Sequence, residues 1–391
     1  MTFETAYLVQ IRHLQYNGNM EFLSKRLESL NPYVPGEQPT DRTYIKLNAN
    51  ENPYPPHPSV ISAVKDALEK SPEKLGLYPD PDVTELRCEI ANMLNKTGGA
   101  FASENASADL GFEITPDMIF CGNGSDEVLS FVFYTFFDSD RPLVFPEHTY
   151  SFYPVYCGYY QIPMERVPLL ADWKLDLDKM IQASSRNKSG MIFANPNAPT
   201  SLALKRAEVE RILDAAPEGK VVVVDEAYCD FGGESSLPLL RTHKNLVIVR
   251  TFSKSLSFAG MRLGYIVANP ELIQAVFRVK NSFNHFPVDF VAKTAAIASC
   301  KAVEYYAENA RKIVAERDDF TAFLREKGYF VLDSSTNFVF TRKDGIGGRQ
   351  IYEKAKSAGI LIRHFATPGI EDFVRITIGT HEQMEELKKA L

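Results

Sequence analysis

The chain reads as an α/β protein, with a large domain built on a mostly parallel sheet followed by a smaller α+β domain. Three observations predict this. Short apolar runs alternate with stretches of helical periodicity over the first two thirds of the sequence. Most of these runs stop at Gly, Pro, Asn, Asp or Ser, the residues that turn a chain. After about Pro287 the pattern changes to a long charged helical stretch and then to short strands. At 391 residues the chain exceeds one typical domain, so two are expected.

Residues 1–47 read as an N-terminal extension and an arm packing on the small domain. The first nineteen residues lack a basic start, an apolar core and a cleavage site, so no signal peptide is expected. The large domain is expected over residues 48–286, with strands at 118–121, 142–145, 191–194, 221–224, 246–250 and 265–268. The longest apolar run, 128–137, follows Ser125-Asp126-Glu127 and reads as a buried helix. It falls short of the roughly 18 uncharged residues of a membrane span. The small domain is expected over residues 287–391: a helical stretch at 288–327, then strands at 329–332, 337–341, 361–365 and 374–378. Gly345-Ile346-Gly347-Gly348 reads as a flexible turn and not a phosphate loop, because no Lys-Ser/Thr follows.

Composition excludes several functions. The formal net charge of −7 argues against a nucleic-acid surface, so any anionic ligand must be met by locally placed arginines. The five cysteines (Cys88, Cys121, Cys157, Cys229, Cys300) are scattered, odd in number and form no CxxC. That suits reduced thiols in a cytoplasm rather than disulfides or a zinc site. The histidines show no ligand spacing, so no metal is expected; His13, His57 and His285 read as surface or packing residues.

The chemistry gathers around Lys254. It sits in Thr251-Phe252-Ser253-Lys254-Ser255, directly after an apolar run, and Arg262 follows in Gly260-Met261-Arg262-Leu263-Gly264. Upstream, four valines end in Asp225-Glu226-Ala227-Tyr228. A lysine at a strand end, with hydroxyls beside it and an arginine beyond, suits an imine to a phosphorylated aldehyde. An acid at a neighbouring strand end suits a protonated pyridine nitrogen. Together these are the parts of a pyridoxal phosphate site, and the carboxyl ends of α/β strands are where ligands bind. Asp225 is expected to pair with the pyridinium, and Tyr228 to hydrogen-bond the ring's phenolic oxygen. Gly122-Asn123-Gly124-Ser125-Asp126-Glu127 follows a strand and opens a helix. Two readings of it stand: a turn with Ser125 as N-cap, or a cradle whose free N–H groups bind an anion. Ser253 and Arg262 favour the cradle.

These residues resemble the fold-type I aminotransferases of classes I and II. Four segments are similar to the histidinol-phosphate aminotransferase family: Leu47-Asn48-Ala49-Asn50-Glu51-Asn52-Pro53-Tyr54, Asn31-Pro32-Tyr33-Val34-Pro35-Gly36, Leu77-Tyr78-Pro79-Asp80 and Val374-Arg375-Ile376-Thr377-Ile378-Gly379-Thr380. The resemblance runs from about Met20, which looks like that family's start, to the C-terminus. It implies a seven-stranded sheet between helices and a large PLP-binding domain. It also implies transamination between L-histidinol phosphate and 2-oxoglutarate, giving imidazole-acetol phosphate and glutamate, in a cytoplasmic enzyme of histidine biosynthesis with no nucleic-acid or membrane partner.

The resemblance also implies roles. Backbone N–H groups of Ser125 and Asp126, with Ser253 and Arg262, hold the cofactor phosphate. Tyr150 stacks on the ring, with Phe152 and Tyr153 as the neighbours that compete for the part. Arg375, assisted by Arg363, binds the glutamate carboxylate or the substrate phosphate, and Tyr33 and Asn50 touch substrate. Tyr78 reaches across a homodimer to the neighbouring cofactor phosphate. One segment departs from the family's PNNPTG: in Asn195-Pro196-Asn197-Ala198-Pro199-Thr200-Ser201, Ala198 replaces an asparagine that contacts the ring's phenolic oxygen, and Ser201 replaces the glycine. Asn197 or a water is the candidate replacement. Three other functions fit the same machinery: an aromatic or broad-specificity aminotransferase, a decarboxylase of a phosphorylated amino acid, and a non-catalytic PLP-binding regulator. The last lacks a basic patch and would have no use for Lys254 with Asp225.

Overall fold

The computed structural model of the chain describes residue 22 and residues 24–33, 36–101 and 110–391. The expected extension over residues 1–19, with His13, lies outside the described residues, as do Met20, Glu21, Leu23, Val34 and Pro35.

Thirteen strands form three sheets among the described residues. A short β1 (Ile45–Lys46) stands apart from the large sheet. The large sheet holds β2 (Ile119–Gly122), β3 (Leu143–Pro146), β4 (Met164–Val167), β5 (Met191–Ala194), β6 (Val222–Asp225), β7 (Leu246–Thr251) and β8 (Gly264–Ala268). Their order is β2-β8-β7-β6-β5-β3-β4. Only β8 runs against its neighbours, so the sheet is mostly parallel as expected. The central strands are β-branched and buried on both faces, which a parallel sheet covered by helices requires. Their side chains alternate between two cores: Val223, Val247, Val249 and Ile266 on one face, and Val222, Val224, Leu246, Ile248 and Val267 on the other. The sequence reading missed β4. It is an edge strand reading Met-Glu-Arg-Val, half exposed, and carries charges where an apolar run was sought.

Side-chain caps mark the starts of several helices. In chain order they are α1 (Pro58–Lys70), α2 (Thr84–Thr97), α3 (Gly124–Phe136), α4 (Tyr153–Tyr160), α5 (Leu177–Asn187), α6 (Arg206–Asp214), α7 (Pro270–Phe283), α8 (Phe290–Lys301), α9 (Val303–Glu326), α10 (Gly348–Ser357) and α11 (His381–Ala390). Proline opens α1 and α7, with His57 and Asn269 capping the next free N–H. Asp176 and Asp289 cap α5 and α8. The single helical stretch expected over 288–327 is two helices. Ala302 leaves the helical conformation (φ −101°, ψ 27°), and it has neither a glycine nor a capping side chain to mark the break. The helix α8 packs on α1 and α2.

The second sheet, in the order β12-β13-β10-β9, is antiparallel: β9 (Phe330–Val331), β10 (Phe338–Arg342), β12 (Arg363–His364) and β13 (Val374–Thr377). Between them in sequence, β11 (Ile360–Leu361) pairs in parallel with β1. This pairing lays the segment before Asn50 along the second sheet, where the Leu47 carbonyl accepts from the Thr377 N–H at 3.0 Å.

Candidate active site

A cavity of about 280 Å3 opens at the carboxyl ends of β5, β6 and β7. Ser125, Asp126, Tyr150, Asp225, Tyr228, Ser253, Lys254 and Arg262 line it, with Ala49, Glu51, Ala194, Ala198, Ala227, Thr251 and Ala259. Eight residues proposed from sequence therefore meet at one place.

At one end of the cavity, β2 turns into α3. Asn123 occupies the cap position without a side-chain bond, so Ser125 lies inside the first turn and is not the N-cap. This leaves the first N–H groups of α3 free for an anion. Two glycines make the geometry possible. Gly124 has φ +80°, and a Cβ there would lie 2.5 Å from an Arg262 nitrogen. A Cβ on Gly264 would lie 2.5 Å from the Ser125 amide nitrogen. Arg262 Nη2 donates to Asp126 Oδ2 at 3.1 Å, and the Tyr150 hydroxyl donates to Asp126 Oδ1 at 2.9 Å. One carboxylate thus orients both the arginine expected to meet the phosphate and the ring expected to stack on the cofactor.

Asp225 ends β6, fully enclosed. Its Oδ2 accepts from the Tyr153 hydroxyl at 2.9 Å, and its Oδ1 from the Ala227 N–H at 3.1 Å. Burial pushes its pKa up to about 6, against the lowering effect of those two bonds. Tyr153 is therefore neither the stacking ring nor simple core. It holds the acid, a role the sequence did not single out.

Lys254 Nζ lies 3.3 Å from the Ala49 carbonyl and 5.7 Å from the centre of the Tyr228 ring. Asn52 Nδ2 donates to the carbonyls of Lys254 (3.0 Å) and Ser255 (3.2 Å). Beneath the turn lies a buried ionic cluster. Arg250 Nη2 meets Glu226 at 2.5 Å and Arg250 Nη1 meets Asp230 at 3.5 Å, while the Ser255 hydroxyl donates to Asp230 at 2.5 Å. Glu226 anchors this cluster. Sequence gave no sign that the cluster would brace the lysine turn from below.

Six proposed residues do not line the cavity. Asn197 is excluded as the replacement donor because its amide is used up. Its Nδ2 donates to the His148 carbonyl and to Thr200, each at 2.9 Å, and its Oδ1 accepts from Thr149 at 2.8 Å. Ala198 faces the cavity instead. Ser201 has φ +68°, the left-handed region that the family glycine serves. Asn50 is corrected from a substrate contact to a buried one: it is 1% exposed and its side chain bonds Tyr228 and Thr377. Tyr33 packs against Phe152 with ring centres 5.2 Å apart. Tyr78 is 83% exposed and stacks on Phe286 at 4.6 Å.

Arg363 and Arg375 sit directly opposite each other on β12 and β13. Like charges at such a position repel, which favours an anion between or beside them. Burial pushes the Arg375 guanidinium down, and neighbouring Arg363 adds to this, against the phenols of Tyr228, Tyr33 and Tyr150. Arg375 Nη2 donates to the Asn48 carbonyl at 3.1 Å, while its buried Nε has no hydrogen-bond partner among the described residues.

The donor set fits pyridoxal phosphate. Free N–H groups and Arg262 face one end, an enclosed carboxylate with no basic partner among the described residues lies at the other, and an amine and a phenol stand between. A family model described as aminotransferase class I and II matches residues 42–391. The chain is 48% identical over 372 residues to a histidinol-phosphate aminotransferase of Syntrophus aciditrophicus (94% of this chain, 97% of the relative). It is 42% identical over 372 residues to one from Acinetobacter baumannii (95% and 97%). Its fold is similar to a crystal structure of histidinol-phosphate aminotransferase from Sinorhizobium meliloti in complex with pyridoxal-5'-phosphate (TM-score 0.81, 26% identity, 96% and 97% covered).

Proposed function

We propose that this chain, which belongs to the class I and II aminotransferases, is a pyridoxal-phosphate-dependent histidinol-phosphate aminotransferase. It moves the amino group between L-histidinol phosphate and 2-oxoglutarate, giving imidazole-acetol phosphate and glutamate in histidine biosynthesis. The observation that carries the reading is the convergence of Lys254, Asp225, Tyr228, Ser125 and Arg262 on one cavity. The reaction belongs in the cytoplasm, where free thiols such as the five cysteines stay reduced. Among the described residues no helix is long and apolar enough to cross a membrane.

When bound, pyridoxal phosphate supplies an aldehyde for the amino group and a ring that accepts electrons as a proton leaves Cα. The residues of the chain do the rest. The N–H groups of Ser125 and Asp126, with Ser253 and Arg262, bind the phosphate. Asp225 keeps the proton on the ring nitrogen. Tyr228 donates to the phenolic oxygen. Lys254 would carry the proton from the substrate Cα, a task for a positioned amine. The large domain (48–286) holds the cofactor. The small domain (287–391) brings Arg363 and Arg375 to the substrate's anionic groups.

A panel of amino donors with 2-oxoglutarate tests the substrate. Histidinol phosphate should exceed phenylalanine in kcat/KM; equal turnover of the two transfers the reading to an aromatic aminotransferase. A charge-assisted hydrogen bond contributes roughly 1.5–3 kcal/mol, or about 10- to 150-fold. Arg375→Ala should lose that factor for both glutamate and histidinol phosphate, since one pocket serves both. Arg363→Ala should weaken histidinol phosphate more than phenylalanine, which has no phosphate.

The enzyme is a homodimer with shared sites. Leu75, Leu77, Tyr78 and Phe283 are all more than half exposed, an apolar group that a second copy would cover. Tyr78 does not line its own chain's cavity, so it is free to reach the other. Mixing a Lys254→Ala chain with a Tyr78→Phe chain should recover activity in hybrids that hold one site with both residues intact. A fully active monomer at high dilution rejects the shared site.

A further inference from the structure

Asn50 is a non-glycine residue at φ +54° and 1% exposed, 178 positions from the tyrosine it bonds. Its hydrogen bonds leave one consistent direction for every proton. The Asn50 backbone N–H donates to Thr377 Oγ1 at 3.0 Å. The Thr377 hydroxyl therefore uses its own proton on Asn50 Oδ1, also at 3.0 Å. The reverse amide orientation would leave this 2%-exposed hydroxyl without that acceptor. With Oδ1 turned to Thr377, it is Nδ2, a donor only, that faces the Tyr228 hydroxyl at 2.9 Å. Tyr228 must accept there, so its own proton points elsewhere. Arg375, which acts on the same phenol, has no acceptor to offer it. What remains is the cavity that Tyr228 lines.

Resting on the cofactor reading above, we propose that Asn50 is a positioning residue. By donating to Tyr228, it commits the tyrosine's proton to the cofactor's phenolic oxygen. Through Thr377, on β13, it couples that setting to the strand that carries Arg375. The coupling matters more in this chain than in the family pattern. Ala198 replaces the asparagine that would also reach the phenolic oxygen, and Asn197 is committed elsewhere. Tyr228 carries the contact without that partner.

The readout is the pH midpoint at which the visible band of the bound cofactor changes, measured without substrate. Negative charge on the phenolic oxygen helps hold the titrating proton at the Lys254 nitrogen. A donor at that oxygen lowers the midpoint, and losing the donor raises it. Asn50→Asp keeps the shape and tolerates positive φ, but it only accepts, so it draws the Tyr228 proton out of the cavity. We expect a rise of about one pH unit, the size of a hydrogen bond to a charged group. The new carboxylate also exerts a field. The same change is therefore made in a Tyr228→Phe background, where only the field remains and the further rise should be small. Other charged groups facing the site (Glu51, Asp126, Asp225, Lys254, Arg262 and Arg375) stay in place throughout. Neutral Asn50→Gly, which suits the backbone, should raise the midpoint less but in the same direction, and serves if the Asp variant fails to fold. An unmoved midpoint in both variants, or an equal rise with and without Tyr228, overturns the proposal. If the unmodified protein shows no visible band with pyridoxal phosphate, the cofactor reading itself fails.

Discussion

Replacing Lys254 by alanine is expected to reduce transamination by more than roughly 10⁴-fold, because in the proposed function Lys254 is both the covalent anchor and the base. The unmodified protein should be yellow, and borohydride should fix a pyridoxyl group on Lys254, found by mass spectrometry of the labelled peptide. Lys254→Ala should still bind the cofactor through the α3 N-terminus and Arg262, yet resist borohydride fixation. Folding should be little affected. Among the described residues the Lys254 amine makes one hydrogen bond, to the Ala49 carbonyl at 3.3 Å, and a net contribution of about 0.5–1.5 kcal/mol is the most that is lost. Full turnover in this variant rejects the assignment outright.

Asp225→Asn is expected to move activity and stability in opposite directions. Turnover should fall roughly 10²–10³-fold, the scale of losing one preorganised electrostatic partner, with only a modest loss of cofactor binding. In the cofactor-free protein the carboxylate works against folding, because burial raises its pKa from 3.8 to about 6. A group whose folded pKa is raised adds stability below its unfolded pKa and loses it as pH rises through the folded value. Its contribution is therefore most favourable below about pH 4 and has been lost above about pH 6. Two units correspond to about 3 kcal/mol. Cofactor-free Asp225→Asn should accordingly be more stable than the unmodified cofactor-free protein at pH 7–8, by up to that order, and the gap should close toward pH 4. Urea denaturation across this range measures it. Bound pyridinium supplies the missing positive charge and should remove the advantage. Near-normal turnover would make Asp225 a mere strand-end residue. A stability gap independent of pH would mean that the carboxylate is not desolvated.

The local parts of this protein were legible in the sequence because each is written in neighbouring residues. Four valines before Asp225 mark a strand buried on both faces, and the acid at its end marks the ligand side. Ser253, Lys254 and Arg262 follow the next strand in one short span. The order of these pieces was enough to indicate the fold class and the cofactor, and it made Lys254 the residue to test. The failures were also local: β4 lacks an apolar run, and Ala302 breaks a helix without a marker residue.

The contacts that tune the site join residues far apart in the chain, and local patterns hold no record of them. Asn50 reaches Tyr228 and Thr377, Tyr153 reaches Asp225, Asn52 reaches the Lys254 turn, and Arg363 faces Arg375 across two strands. Asn197 shows the limit well. Its type suits a cofactor contact, yet the fold has spent its amide on His148, Thr149 and Thr200. The sequence by itself determined which chemical groups are present and on which strand ends they lie, because periodicity and turn residues act over a few positions. Only the tertiary structure decided which donors remain free, because a buried hydrogen-bonding group must be satisfied by whatever the fold packs against it.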